Sequence, residues 1–481
     1  MDRVVNLLKE YGPMISGDLA RKYEQIYNTS NEAARKAVSR SKTPVNKISN
    51  LGFDKNQKFY YLESQFMSNK YKENLIEAIK KHSKIFFEYI NAFLMQNGYI
   101  SKRILPAYVG APVENVRGHR KHFDIIQILI DNNIVIDENE DILYLNPSFF
   151  GKINYNHSIG LEIAKKTIIN DFNQWAREAN LVSYSKGKTL FEHPVFSHFQ
   201  WCYSAPSYIQ PLYSPKNNKP GFVVADVIFG KTTTLNDLNF FIDKLLIIRS
   251  FKNLPSFLPV IIVDRIDRDA LNKLKGLNVF VALLDQFFSD KYTKLLNELV
   301  NVITNATSIM NKNPDYVHRL FESLSKAEGK YNNMAGDMFE LLVGYHFSNL
   351  GCAYMKSKQI IRYNNKIKEL DWLIQRDGKT IVIECKATKS KIDEQFVNKW
   401  LTENIPITYK WLKENHYNNI QFEIWSVGGF TDQALEMLSK QEEVVKKYIV
   451  YHYSKEDMIT IAKNTNDQNF IEIMEQHFHF S

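Results

Sequence analysis

Cysteine is scarce in this chain. Cys202, Cys352 and Cys385 are scattered through 481 residues, with no CxxC pair for zinc and no framework for disulfides. That usage points to a reducing compartment, and the expected location is the cytoplasm. Long apolar runs are missing too. None reaches the roughly 18 residues that a bilayer span requires, and Met1-Asp2-Arg3-Val4-Val5-Asn6 lacks a signal-peptide core. No membrane partner is expected. Motifs of several enzyme classes are also absent: there is no GxSxG elbow and no HExxH helix. The phosphate-binding loop is missed twice. Ala225 stands where the first Gly should precede Gly230-Lys231-Thr232, and Val182 stands there for Gly187-Lys188-Thr189. That Gly lets the backbone wrap phosphate, so an ATPase is excluded.

What remains is a globular chain with 44% hydrophobic residues and no Pro/Gly/Ser-rich tract, long enough for several domains. A formal charge of +8 and a pI near 8.9 favour a polyanionic partner. Abundant Lys, Asn, Ile and Tyr point to an AT-rich bacterial genome and carry no mechanism.

The most informative stretch is Glu369 to Lys386. Asp377-Gly378 between two alternating apolar runs is a hairpin signal. Such a turn sets Arg376 opposite Lys379, Asp371 opposite Glu384, and Glu369 opposite Lys386. Residues two apart share a strand face, so the four charges crowd one side. Leu370, Trp372, Ile374, Ile381, Ile383 and Cys385 fall on the other. Carboxylates directly opposite each other repel. A divalent cation removes that cost, and hard oxygen ligands suit Mg²⁺ or Mn²⁺. Lys386 is placed to hold a water or to stabilise charge on a phosphate. The plainer alternative is a solvated strand face with cross-strand ion pairs.

Asp371 and Glu384-Cys385-Lys386 resemble the PD-(D/E)xK nuclease superfamily, which has the restriction-endonuclease-like fold. Leu370 stands at the namesake Pro. The family usually has a preceding helix with a Glu, and Gly336 to Phe347 with Glu340 fits it; the alternative is an ordinary exposed helical Glu. After Lys386 the pattern continues as helix (Ile392 to Leu412), strand (Gln421 to Val427), helix (Thr431 to Lys447) and strand (Tyr448 to His452), as an α/β sheet needs. Gln395 and Lys399 follow the acid-x-Lys strand, where some members place a phosphate contact. The resemblance implies Asp371, Glu384, Lys386 and Glu340 as catalytic residues. It also implies Mg²⁺ (or Mn²⁺) held by Asp371, Glu384 and the carbonyl of Cys385.

Residues 1–67 read as a winged helix-turn-helix. Ser30 and its neighbours offer a cap for a third helix from Glu32. Arg35, Lys36, Arg40, Lys42 and Lys47 cluster on and after that helix, as on a DNA-reading element. A second module of this kind spans 68–152. It has a long helix from Glu73 to Gln96, a short one from Ser101 to Tyr108, and a basic segment, Arg117 to His122, opening a third. Arg117, Arg120 and Lys121 are its candidate DNA contacts. The acidic hairpin tip at 137–141 would repel phosphates.

Residues 153–312 read as a further α/β domain. Its strand (Phe222 to Phe229), helix (Leu235 to Arg249), strand (Pro259 to Val263), helix (Asp267 to Lys275) and strand (Asn278 to Leu283) repeat the order seen after Lys386. The expectation is a degenerate nuclease-like copy. Its acid-x-Lys position would fall on Phe229-Gly230-Lys231, without the acid. Residues 313–481 would form the active nuclease domain. The resulting expectation is a metal-dependent DNA endonuclease of prokaryotic restriction or antiphage defence. One chain offers one active site, so a homodimer or a nicking activity is expected, with partner proteins unidentified. The alternative is a non-catalytic DNA-binding regulator or scaffold.

Overall fold

The computed structural model describes residues 2–138, 141–213, 219–312, 316–317, 320, 335–364, 366–444 and 447–478. The chain is mixed α/β and divides into two compact units: Met1–Ser158 with Asn173–Ala282, and Ile159–Phe172 with Leu283–Ser481. Among the described residues no helix is long and apolar enough to cross a membrane.

In the first unit, two small helix-rich modules each close on a three-stranded sheet of the same strand order. Helix Arg3–Tyr11 is capped by the Asp2 carboxylate. Strand Met14–Ile15, helices Ser16–Tyr27 and Asn31–Ser39, and strands Val45–Ile48 and Phe59–Leu62 follow, the last strand being central in the sheet. Ser30 caps the third helix through the Ala33 N–H, as expected. The second module runs through helices Asn69–His82 and Lys84–Leu94, strand Tyr99–Ser101, helix His122–Asp131, and strands Val135–Asp137 and Ile142–Leu145, again with the last strand central.

Three expectations shift here. The long helix from Glu73 breaks at Ser83, whose hydroxyl donates to the Leu51 carbonyl at 2.6 Å. No Gly or Pro marks that break. The short helix after Ser101 is only a 3₁₀ turn, Leu105–Tyr108. The third helix starts at His122, so Arg117, Arg120 and Lys121 precede it. Two residues of the acidic tip, 139 and 140, lie outside the described residues.

The same unit holds a five-stranded sheet. Its order is Phe280–Leu283, Phe257–Ile266, Gly221–Thr233, Tyr203–Ser207, Lys188–Thr189. The long central strand pairs parallel with Phe257–Ile266 and antiparallel with Tyr203–Ser207. Helices Leu235–Arg249 and Arg268–Gly276 lie where the apolar spacing put them. Residues 225–232 stay in this strand, which confirms that no phosphate loop forms there.

The second unit carries strands Tyr354–Tyr363, Lys366–Arg376, Lys379–Lys386, Ile420–Ser426 and Ile449–Tyr453 side by side in chain order. The first two pairings are antiparallel and the last two parallel. Apolar clusters cover both faces. Met338, Phe339 and Leu342 of helix Ala335–Asn349 lie in one cluster, with Trp372, Ile383 and Cys385. Val397, Leu412 and Leu438 lie in the other, with Leu373 and Val382. Gly344 lets the helix settle on the hairpin, since a Cβ there would stand 2.1 Å from the Trp372 ring. The helix expected from Ile392 to Leu412 is split. Glu394–Lys399 leads into a π turn, Trp400–Asn404, before Ile405–Glu414. Pro406 lies at the restart, where it has no N–H to continue a regular ladder.

Candidate metal and phosphate site

The hairpin turn forms because Asp377 and Gly378 both accept the left-handed backbone, at φ 50° and 71°. Pairing runs from Arg376 opposite Lys379 to Trp372 opposite Ile383. There the regular ladder stops, one row short of Asp371 and Glu384. In place of a backbone bond, the Asp371 carboxylate accepts the Cys385 N–H at 2.7 Å. Glu369, expected opposite Lys386, instead pairs with Ile360 of the edge strand and is exposed.

The edge strand is irregular in the same row. Ser357 pairs with Trp372 and Gln359 with Leu370, while the intervening row, Lys358 and Asp371, is unpaired. Lys358 has φ 46°, a conformation that a side chain tolerates at a cost. Facing reverses across this row in both strands. Met355 and Trp372 pack in the cluster of the Ala335–Asn349 helix, but Ile361 and Leu370 join the opposite one. Leu370 therefore does not share the Trp372 face. Strict alternation put it there, and the local kink at Asp371 overrides alternation, as irregular strand rows near sites do.

Three adjacent strands thus bring Lys358, Asp371 and Glu384 into one row, and the Ala335–Asn349 helix adds Glu340. Lys386 Nζ lies 2.6 Å from Glu384 Oε1. Lys358 Nζ lies 2.7 Å from Glu340 Oε2 and 3.3 Å from Asp337 Oδ1. The Trp372 indole donates to the Glu340 carbonyl at 2.7 Å, tying the helix to the hairpin. Lys386 also lies over the Phe396 ring, 5.3 Å from its centroid.

The electrostatics follow from burial and crowding. Burial, then Glu340 and Glu384, push the Asp371 carboxyl well above the ordinary carboxylate range, against the pull of Lys386. Burial pushes Glu340 up to about 7, with Lys358 opposing and Asp337 reinforcing. Burial works against the charge on Lys386, yet Glu384 and Asp371 more than offset it, and its pKa rises. Lys358 behaves alike, held charged by Glu340, Asp337 and Glu369.

The structure brings together Asp371, Glu384, Lys386 and Glu340. The Cys385 thiol is buried on the other side of the strand, which leaves its carbonyl as the group able to face an ion. Among the described residues, no three His, Cys, Asp or Glu side chains are disposed to hold a metal. The donor set is two carboxylates and a carbonyl. Its hard oxygens and the crowding at Asp371 fit Mg²⁺ or Mn²⁺. Gln395 and Lys399 are both exposed on their helix.

Arg35 and Lys36 on the third helix, Arg40 at its end, Lys42 beyond it and Lys47 on strand Val45–Ile48 are all exposed. Lys36 is paired with Glu32 at 2.6 Å. Arg117 is exposed, as is Arg120, which reaches the Asn50 carbonyl at 3.3 Å; Lys121 is half-buried. Neighbouring His122 bonds Tyr89 at 2.9 Å, and burial holds its imidazole down to about 4.

Lys358 escaped the sequence reading, because it lies on a strand whose apolar residues do not alternate. Asp226 in the middle sheet, which the sequence excludes as the acid of an acid-x-Lys because no Lys follows at that spacing, marks the corresponding row there. Its antiparallel ladder ends at Tyr203 opposite Ala225, so the next row is Cys202 and Asp226. That row, rather than Phe229 to Lys231, matches the Asp371–Glu384 row. Asp226 accepts the Cys202 N–H at 2.8 Å and pairs with Lys244 at 3.0 Å, and neither charged side chain is exposed at all. Ile228 stands two residues on, so acid-x-Lys is missing, and Lys231 is bound instead to Asp237 at 2.7 Å.

No family model matches the chain, and no curated protein matches it. Among solved structures, a protein of unknown function, AF1548, matches with a TM-score of 0.17 and 19% sequence identity over 24% of this chain. The chain spans about 55% of that protein's length.

Proposed function

We propose that the chain is a metal-dependent endonuclease acting on DNA phosphodiesters, with its site at the open end of the 366–386 hairpin. The observation that carries this reading is the row itself. Asp371 is crowded by Glu340 and Glu384, while Lys386 stands beside Glu384 at 2.6 Å. Such a like-charged cluster destabilises a fold unless a cation is to be held. Asp371, Glu384 and the Cys385 carbonyl would hold Mg²⁺ or Mn²⁺. Bound there, the ion supplies Lewis-acid polarisation of the scissile phosphate. Lys386 keeps its proton at neutral pH, so it serves as a fixed cation toward the phosphate oxygens or orients the attacking water. Glu340, held by Lys358 and by the helix, keeps Asp371 in place.

The first two modules, read as winged helices, would dock duplex DNA through Arg35, Lys36, Arg40, Lys42 and Lys47, with Arg117, Arg120 and Lys121 as further phosphate contacts. The middle sheet fits a nuclease-like copy without acid-x-Lys. One active site per chain favours a homodimer for double-strand cleavage, in prokaryotic restriction or antiphage defence.

A second reading, a non-catalytic DNA-binding scaffold, draws on one observation: Glu384 and Glu340 are each already neutralised by a lysine. Purified protein incubated with supercoiled plasmid, with and without Mg²⁺ or Mn²⁺, separates the two. The enzyme nicks or linearises the plasmid only with metal. Glu384→Ala and Lys386→Ala each lower that rate by about 10²–10³-fold, the usual cost of removing one group that stabilises a transition state. Cleavage unchanged in either variant defeats the site assignment.

A further inference from the structure

We infer that Lys358 is a built-in cation that takes the place of a second metal ion, making this a one-ion site. The inference rests on the proposed reading of the Asp371–Glu384 row and adds a residue to it. Three observations meet at Lys358. First, it occupies the same row as Asp371 and Glu384, one strand further out. Second, it sits in a strand interior at φ 46°. A non-glycine residue keeps that conformation only where its surroundings over-determine it. What the kink achieves is to aim the ammonium group between Glu340 and Asp337, at 2.7 and 3.3 Å, with only 11% of the side chain exposed.

Third, Asp337, Glu340, Ser357, Lys358 and Trp372 line one cavity on that side together with Ile303 and Ala306, and the space left beside the Lys358 ammonium is that of about one water. While Lys358 bridges the two acids, a divalent ion that keeps several waters of its own has no place between them. Glu340 and Asp337 would otherwise be a second pair of hard oxygen donors beside Asp371. The lysine satisfies them with a charge that needs no loading from solution. It thereby leaves Asp371, together with Glu384 in its pair with Lys386, as the carboxylates for an exchangeable ion. Lys358 is on this account a positioning residue. It fixes Glu340 and the ion count without touching the substrate.

The test counts Mn²⁺ bound per chain by electron paramagnetic resonance and titration calorimetry, in the full-length protein without DNA. The wild-type chain is expected to bind one Mn²⁺. Lys358→Met, which removes the cation from between Glu340 and Asp337 at nearly constant side-chain size, is expected to bind two. Lys358→Met combined with Glu340→Gln is expected to return to one. A wild-type count of two, or a Lys358→Met count that stays at one, overturns the inference while leaving the metal site standing. A wild-type count of zero removes the metal site itself. Glu340→Gln alone keeps the inference testable if Lys358→Met does not fold. One retained Mn²⁺ supports Glu340 as a group held by Lys358. Complete loss of binding makes Glu340 a ligand and ends the proposal.

Discussion

The chain contains two five-stranded sheets that open in the same way and use the opening differently. In each, an antiparallel ladder stops and an aspartate beyond its end accepts the N–H of a cysteine on the neighbouring strand: Asp371 from Cys385, and Asp226 from Cys202. In the middle sheet the aspartate is matched by one lysine from a helix, Lys244, which also donates to the Gln200 carbonyl at 2.9 Å. That row is fully buried and its charges balance. In the C-terminal sheet three further acids, Asp337, Glu340 and Glu384, converge with two lysines, and Glu384 and Lys386 keep 20% and 29% of their side chains exposed. A sheet opening therefore does not make a site. Surplus like charge with a path to solvent is what supports the proposed site, because burial alone selects against it.

The largest expected effect breaks the comparison at the closed row. Asp226→Asn leaves the Lys244 charge buried without its counter-ion, and loss of one partner of such a pair costs about 3–5 kcal/mol. For a unit of this size the melting temperature should drop on the order of 10 °C. Replacing both partners, as Asp226→Leu with Lys244→Met, should restore most of that loss. Metal-dependent cleavage by the folded fraction should be unchanged in both variants. A stable Asp226→Asn protein that no longer cleaves would show that the middle row takes part in the chemistry.

Next in size is the contact that holds the open row together. Ala at position 344 drives a methyl group into the Trp372 ring. Overpacking of that kind costs about 1–3 kcal/mol. Because Trp372 also donates to the Glu340 carbonyl, the displaced helix carries Glu340 with it. Gly344→Ala should lower both the melting temperature and the cleavage rate of the folded fraction. Loss of stability with an unaltered rate would separate Glu340 from the site.

The difference between the rows was only half legible in the sequence. Asp377-Gly378 announced the turn because few residue pairs accept two consecutive positive φ angles, and the turn alone set the register that brings Asp371 toward Glu384. The flanking α/β order was legible from apolar spacing. The kink was not. It reverses facing at Asp371 and moves Leu370 to the other cluster, which no period-two pattern foretells. Lys358 was hidden because its partner Glu340 is 18 residues away on a helix. Lys244 was hidden for the same reason, 18 residues from Asp226. The break at Ser83 depends on a hydroxyl reaching Leu51, 32 residues back. Local signals fix local geometry, whereas polar partnering between elements is settled only by the packed fold.

The smallest effect tests the sign of the surplus charge. A carboxyl whose pKa is raised on folding binds more protons in the folded state than in the unfolded one. Stability from Asp371 is therefore present below the ordinary carboxylate value, near 3.9. It is lost as pH climbs toward the raised value. Without metal, Asp371→Asn should melt higher than the wild type at pH 8, by about 1–2 kcal/mol, a usual gain when a strained functional group is removed. The gap should close as pH falls toward 4. Mn²⁺ should raise the wild-type melting temperature at pH 8 and leave the variant where it was. Burial pushes the Asp226 carboxyl up as well, so the same scan on Asp226→Asn should show a pH trend of the same sign, but with the variant below the wild type at pH 8, because Lys244 is left without its counter-ion. If both substitutions shift stability in one direction, the two rows are alike, and the C-terminal opening holds no more charge than its fold can settle alone.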